Sequence, residues 1–234
     1  MNLPPLKEFD FNRYPMICAH RGDTSLGAKE NTLDAVRAAL DSGAEMIEVD
    51  IQFTTSGEIV CHHDEIDGVG SYERFEDIIA IAAARSYLNI ELKGYGAINE
   101  LPLLPTVFSL VEQYKMQDHV LYSSFRPDYI KSISATVITT IIHPTHELSE
   151  LYGGEDIVEM LPSELMSMTG AATYAAQLSE LTDRRLDDIK ENNIHLSVYT
   201  INTKEDFDKA IACGVKAIVT DRPRALVQYR TELS

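Results

Sequence analysis

Residues 14–43, YPMICAHRGDTSLGAKENTLDAVRAALDSG, join a short apolar run to a helical pattern. The run YPMICAH (14–20) has strand character. In NTLDAVRAALDSG (31–43), Leu33, Val36, Ala39 and Leu40 recur at the spacing of one helix face, and Gly43 is a natural stop. No glycine-rich loop follows the strand, as a doubly wound nucleotide-binding sheet would require. The unit therefore points to a closed parallel barrel, provided that it recurs.

It does recur. MIEVDIQF (46–53) and EIVCHHD (58–64) are strand-like and separated by the turn TTSG, and YERFEDIIAIAAA (72–84) is a helix. YLNIELKG (87–94), VLYSSF (120–125) and TVITTIIH (136–143) are strands, with helices over 104–115 and 126–135. The pattern blurs through 147–161, and ELMSMT (164–169) is read as the sixth barrel strand. The end is clear: helix TDRRLDDIKENN, strand IHLSVYTI, helix NTKEDFDKAIACG with Thr203 as N-cap and Gly214 as stop, strand KAIVTD, helix RPRALVQYR. Some eight strand–helix units predict an α/β protein with a TIM (β/α)8 barrel, one domain over residues 1–234.

Composition narrows the function. With 20 Lys+Arg against 37 Asp+Glu, the formal charge is −17, which argues against nucleic acid and against adhesion to an acidic membrane surface. No apolar run is long enough to span a bilayer, and the start lacks a signal-peptide core, so a cytoplasmic protein without stable membrane association is expected. Cys18, Cys61 and Cys213 are far apart and read as reduced thiols.

In a β/α barrel the chemistry sits where strands end and loops begin, and the polar residues cluster there. His20-Arg21-Gly22 ends the first strand, Glu48 and Asp50 share one face of the second, His62-His63-Asp64 follows, and Glu91 and Lys93 share a face of the next. Three carboxylates from neighbouring strands form a hard oxygen site suited to Mg²⁺ or Ca²⁺. Arg21 and Lys93 add the positive charge that a phosphoryl group needs. Histidine titrates near neutrality and serves as general acid or base, so His20 and His63 fit that pair, and Asp64 would orient a neighbour. Taken singly, each is as easily a turn, a solvated edge or a surface ion pair. Their joint placement at successive strand ends favours metal-assisted phosphoryl transfer. The HPTH segment (143–146) reads as a loop and not a zinc site, and His119 and His195 as structural.

These motifs resemble the glycerophosphodiester phosphodiesterase family. Its HRG, ENT, ExD, TxxG and HD elements are matched by His20-Arg21-Gly22, Glu30-Asn31-Thr32, Glu48 with Asp50, Thr54–Gly57 and His63-Asp64. LNIELKG, LYSSF, LSVYTIN and GVKAIVTDRP are similar to its later strands. The resemblance implies a TIM barrel that cleaves small glycerophosphodiesters to sn-glycerol 3-phosphate and an alcohol with a divalent cation. It implies Glu48, Asp50 and Glu91 as metal ligands, His20 and His63 as the acid–base pair, and Arg21 and Lys93 as phosphate ligands. Glu30, Asn31, Asp64 and Tyr199 would support them, and the motif's register selects His63 over His62.

Three departures stand out. Lys29 replaces a proline before ENT, Tyr199 replaces a tryptophan, and only 26 residues separate Asp64 from Glu91, where the family carries a longer cap. A shorter cap predicts a more open pocket and leaves glycerol recognition open. A phospholipase D- or sphingomyelinase D-like activity on lysophospholipid headgroups, and a barrel that binds a phosphorylated ligand without cleaving it, are the alternatives.

Overall fold

A computed structural model describes residues 3–11, 13–67, 70–94, 100–152 and 154–233. Within them, β1 (Met16–Ala19), β2 (Met46–Phe53), β3 (Ile59–Cys61), β4 (Glu73–Arg74), β5 (Tyr87–Leu92), β6 (Val120–Ser124), β7 (Thr139–Ile142), β8 (Thr173–Gln177), β9 (Leu196–Tyr199) and β10 (Ala217–Thr220) form one sheet. Eight of these are parallel and run in the order β1-β10-β9-β8-β7-β6-β5-β2. Pairing of Cys18 with Met46 and Ala19 with Ile47 then closes the ring. The expected TIM barrel is the observed fold. β3 and β4 lie outside the ring as an antiparallel extension of β2.

Helices α1 (Leu33–Ser42), α2 (Phe75–Ala82), α3 (Leu104–Gln113) and α4 (Pro127–Ile133) follow the early strands. The segment without a clear sequence pattern folds as the short helices α5 (Ser149–Tyr152) and α6 (Glu155–Glu159). α7 (Pro162–Thr169), α8 (Asp183–Glu191), α9 (Lys204–Ala212) and α10 (Pro223–Leu233) complete the outer layer. Local chemistry sets the helix ends. The Thr32 side chain accepts from Ala35 N and Gly43 stops α1 at φ 87°, while Thr203 accepts from Asp206 N to start α9.

One expectation is overturned. Residues 164–169 are not the sixth strand but most of α7, and the strand is Thr173–Gln177. Pro162 in the first turn and the left-handed Gly170 at the end are helix signals that outweigh the apolar run.

The core lies mainly between sheet and helices. Val49, Ile51, Leu88 and Ile90 face outward onto Val36, Ile78 and Val107. The opposite side of the barrel packs Tyr174, Val198 and Ile218 onto Leu165, Phe207 and Leu226. Below the barrel, Leu6, Phe9 and Phe11 pack on Met16, Met46 and Tyr87, and Tyr87 Oη donates to Pro4 O at 2.9 Å. His119 bonds Leu3 O at 2.9 Å, and His195 meets the Phe11 ring. No helix among the described residues is long and apolar enough to cross a membrane.

Candidate active site

The turn after β1 assembles the site. Arg21 and Gly22 both take left-handed φ, 55° and 86°. A Cβ at Gly22 would lie 2.7 Å from the Ala35 backbone, so only glycine fits. This bend aims Arg21 N–H at Glu48 Oε2 (2.7 Å) and lets the guanidinium reach Glu30 (2.9 Å) and Asp50 (3.2 Å). Asn31, also left-handed, binds Asp50 twice: Nδ2 donates to Oδ2 at 2.7 Å, and Oδ1 accepts from Asp50 N at 3.0 Å. The three residues Glu30-Asn31-Thr32 thus have separate roles, since the first pairs with Arg21, the second holds Asp50 and the third caps α1.

Strand register explains the acidic cluster. Glu48 and Asp50 point into the barrel from β2, and Glu91 lies opposite Asp50 on β5. Their donor oxygens lie within 4.8 Å of one another, and this is the only such acidic, His or Cys group among the described residues. Lys93, almost wholly buried, is 2.7 Å from Glu91 and 3.3 Å from Asp50. The two β2 carboxyls respond in opposite ways. Burial, with Asp50 and Glu91 nearby, pushes Glu48 well above the usual carboxylate range. Burial also opposes charge on Asp50, but Lys93, Arg21 and the Asn31 hydrogen bond outweigh it and hold Asp50 below that range.

A divalent cation fits these residues. Glu48 Oε1 is buried with no hydrogen-bond partner among the described residues, and the donor set is oxygen alone. Glu48, Asp50 and Glu91 would hold the ion.

Each candidate histidine has a carboxylate on Nδ1. His20 meets Asp221 at 2.6 Å, and Asp221 is itself gripped by Asn202, whose Nδ2 donates at 2.7 Å and whose Oδ1 accepts from Asp221 N at 2.9 Å. The His20 hydrogen bond, and then Asn202, lower the Asp221 pKa against the effect of burial. His63 meets the exposed Asp64 at 2.7 Å, which lowers Asp64 likewise. Buried Gln52 donates to both His62 O (2.7 Å) and Asp64 O (2.6 Å), clamping the loop that carries His63. Asp221, Asn202 and Gln52 are absent from the sequence-derived set of site residues. Asp221 and Asn202 carry a positional signal, at the strand ends VTD and YTIN, and Gln52 shares the alternating face of Glu48 and Asp50.

His20, Arg21, Glu48, His63, Glu91, Lys93 and Tyr199 all line one cavity of about 760 Å³. Tyr199 Oη donates to His143 O at 2.9 Å, and its ring stands edge-on to Phe125, so the aromatic wall is kept and tethered. Among the described residues between Asp64 and Glu91, the elements are β4, α2 and the start of β5. His143 is buried, with Nε2 bonded to Val158 O at 2.9 Å, and His146 pairs with Glu155 and Glu159 on the surface; HPTH is a structural segment.

The model of the glycerophosphoryl diester phosphodiesterase family matches residues 20–78 and 71–225. A glycerophosphodiester phosphodiesterase from Caldanaerobacter subterraneus subsp. tengcongensis is 25% identical over 91% of this chain and 96% of its own. The crystal structure of a glycerophosphodiester phosphodiesterase from Parabacteroides distasonis superposes with a TM-score of 0.77 at 19% identity, covering 94% of this chain and 98% of that one. A phosphodiesterase from Oleispira antarctica, solved in complex with the product sn-glycerol-3-phosphate, gives 0.76 at 19% identity over 93% and 97% of the two chains.

Proposed function

Since this chain belongs to the glycerophosphoryl diester phosphodiesterase family, we propose that it hydrolyses small glycerophosphodiesters to sn-glycerol 3-phosphate and an alcohol. The observation that carries this reading is the convergence of two histidine–carboxylate pairs and a three-carboxylate cluster on one cavity.

In this mechanism Glu48, Asp50 and Glu91 hold Mg²⁺ or Ca²⁺. When bound, such a cation offsets the repulsion among the carboxylates and polarises a phosphoryl oxygen. Arg21 and Lys93 direct positive charge at the phosphate. His20, with Nδ1–H donated to Asp221, takes the proton of the substrate's own 2-hydroxyl on Nε2 as that oxygen attacks phosphorus. Asp221 then steadies the imidazolium. His63, protonated and paired with Asp64, gives a proton to the departing alkoxide as its P–O bond breaks. The product of this step is a cyclic phosphate. In the second step the roles reverse: His63 takes a proton from water as its oxygen bonds to phosphorus, and His20 protonates the 2-oxygen as the ring opens.

A coupled assay for glycerol 3-phosphate tests the reading, using glycerophosphocholine and glycerophosphoethanolamine with Mg²⁺ or Ca²⁺. His20→Ala and His63→Ala are each expected to lower kcat by roughly 10²–10⁴-fold. No product from either substrate with either cation, or full activity in both variants, would refute it.

A further inference from the structure

Glu100 is a carboxylate that the reaction does not touch, yet it is only 3% exposed. It has no ion-pair partner among the described residues. Arg126, the cation that acts on it, commits its guanidinium elsewhere: Nε and Nη2 donate to Asp128 at 3.0 and 2.7 Å, and Nη1 to Gly94 O at 3.2 Å. Burying a carboxylate in this way is unfavourable, and burial pushes the Glu100 pKa from 4.5 up to about 6.

What the carboxylate does contact is the end of the β2–β5 ladder. These two strands carry Glu48, Asp50 and Glu91, and Lys93 follows directly on β5. The ladder is regular as far as Lys93, whose N–H donates to Ile51 O at 3.3 Å. A parallel ladder would next join Phe53 N–H to Lys93 O. Instead, the chain turns away at Gly94, where φ is 65° and a Cβ would lie 2.9 Å from the Tyr129 ring. Phe53 N–H donates to Glu100 Oε1 at 3.3 Å, and the Gly94 N–H donates to the same carboxylate. Phe53 and Gly94 stand three residues beyond Asp50 and Glu91.

We propose that Glu100 is a positioning residue: its carboxylate replaces the missing rung and holds the ends of β2 and β5 so that Asp50, Glu91 and Lys93 converge on the cation and the phosphate. The proposal rests on the phosphodiesterase reading of the rim. Both oxygens of an ionised carboxylate accept, whereas an amide offers one acceptor and sets its NH₂ against the second N–H. The charged and titratable groups that face Glu100 are Arg126 and Tyr129, with Asp128 behind Arg126; β2 and β5 present backbone N–H groups to it. A raised folded-state pKa means that the stability contributed by this group is present at low pH and lost as pH rises through about 6. Ionised Glu100 therefore serves placement against stability, an opposition that ordinary packing residues do not show.

Calorimetric titration of the metal-stripped protein with Ca²⁺, on the wild type, Glu100→Gln and Glu100→Asp, tests this between about pH 5 and pH 8, a range that brackets the raised value. Glu100→Gln is expected to bind Ca²⁺ roughly tenfold more weakly at the alkaline end. The gap should close at the acid end, where the wild-type carboxyl is protonated as well. Melting curves, which also check that each variant folds, should show Glu100→Gln gaining on the wild type as pH rises. Glu100→Asp keeps the charge but not the reach, so it too should bind Ca²⁺ more weakly, and kcat for glycerophosphocholine should fall in both variants. Wild-type affinity in Glu100→Asp overturns the proposal, because charge alone then suffices. Unchanged affinity in Glu100→Gln, or a gap that does not vary with pH, also overturns it. Failure of the wild type to hydrolyse glycerophosphocholine refutes the phosphodiesterase reading, while the Ca²⁺ titrations still decide the role of Glu100.

Discussion

Glu48 and Asp50 stand two residues apart on one strand face, yet their carboxyls are driven apart in acidity. Asp50 has Lys93, Arg21 and Asn31 to hold its charge, while Glu48 has burial and two acidic neighbours against it. A group whose folded pKa is raised favours the folded state at low pH, and that contribution is lost as pH rises through the raised value. The protein stripped of metal with a chelator should therefore melt at lower temperature as pH rises through that range, and added Ca²⁺ or Mg²⁺ should restore more at the high end. Glu48→Gln should flatten both trends in a thermal melt; a cation response unchanged by the substitution would exclude Glu48 as a ligand. Asp221 acts one step removed, through His20. Asp221→Asn exchanges an acceptor-only carboxylate for an amide and frees the imidazole to turn, so kcat should fall on the order of 10²-fold or more with little change in KM. An equal loss in KM would instead mark Asp221 as a substrate ligand.

At the scale of elements, the β1–α1 connection determines whether the site exists. It turns through two left-handed residues so that a backbone N–H faces Glu48 while the next stretch folds back to hold Asp50. Gly22→Ala forces a side chain into the Ala35 backbone at positive φ, a cost of about 1–3 kcal/mol from backbone strain before any clash is relieved. Both a lower urea midpoint and lower activity are expected; a fully stable but inactive variant would mean that the turn matters to the site alone. Packing between elements also decides the sixth strand. Residues 166–169 alternate apolar and polar as a strand would, while the true strand, TYAAQ, contains two alanines of weak strand preference. The docking of α7 against α4 and α8 agrees with its Pro162 and Gly170 end signals and leaves Thr173–Gln177 to enter the ring.

For the whole molecule, buried His143 links α6, α8 and the β9 wall. Burial, aided by the Arg185 charge, lowers its pKa from 6.5 to about 4, and its neutral ring bonds Val158 O while its own carbonyl tethers Tyr199. A folded-state pKa below the unfolded one means that the native form binds fewer protons. Its contribution is present above pH 6.5 and lost between there and about pH 4, on the order of 3 kcal/mol. Urea unfolding across that interval should show the loss in wild type and a smaller one in His143→Gln; parallel curves would place the acid sensitivity elsewhere. The barrel, the acidic cluster and both histidines were legible in the sequence because strand–helix recurrence and two-residue spacing are local properties. Asp64, the partner of His63, was legible too, being the next residue; the pair behind His20 was not, since Asp221 lies 201 positions from His20 and Asn202 nineteen from Asp221. Sequence by itself determined which residue types line the rim, since a strand's alternation dictates which side chains share a face. Tertiary structure alone decided how the charges are compensated, because that depends on which strands become neighbours when the ring closes.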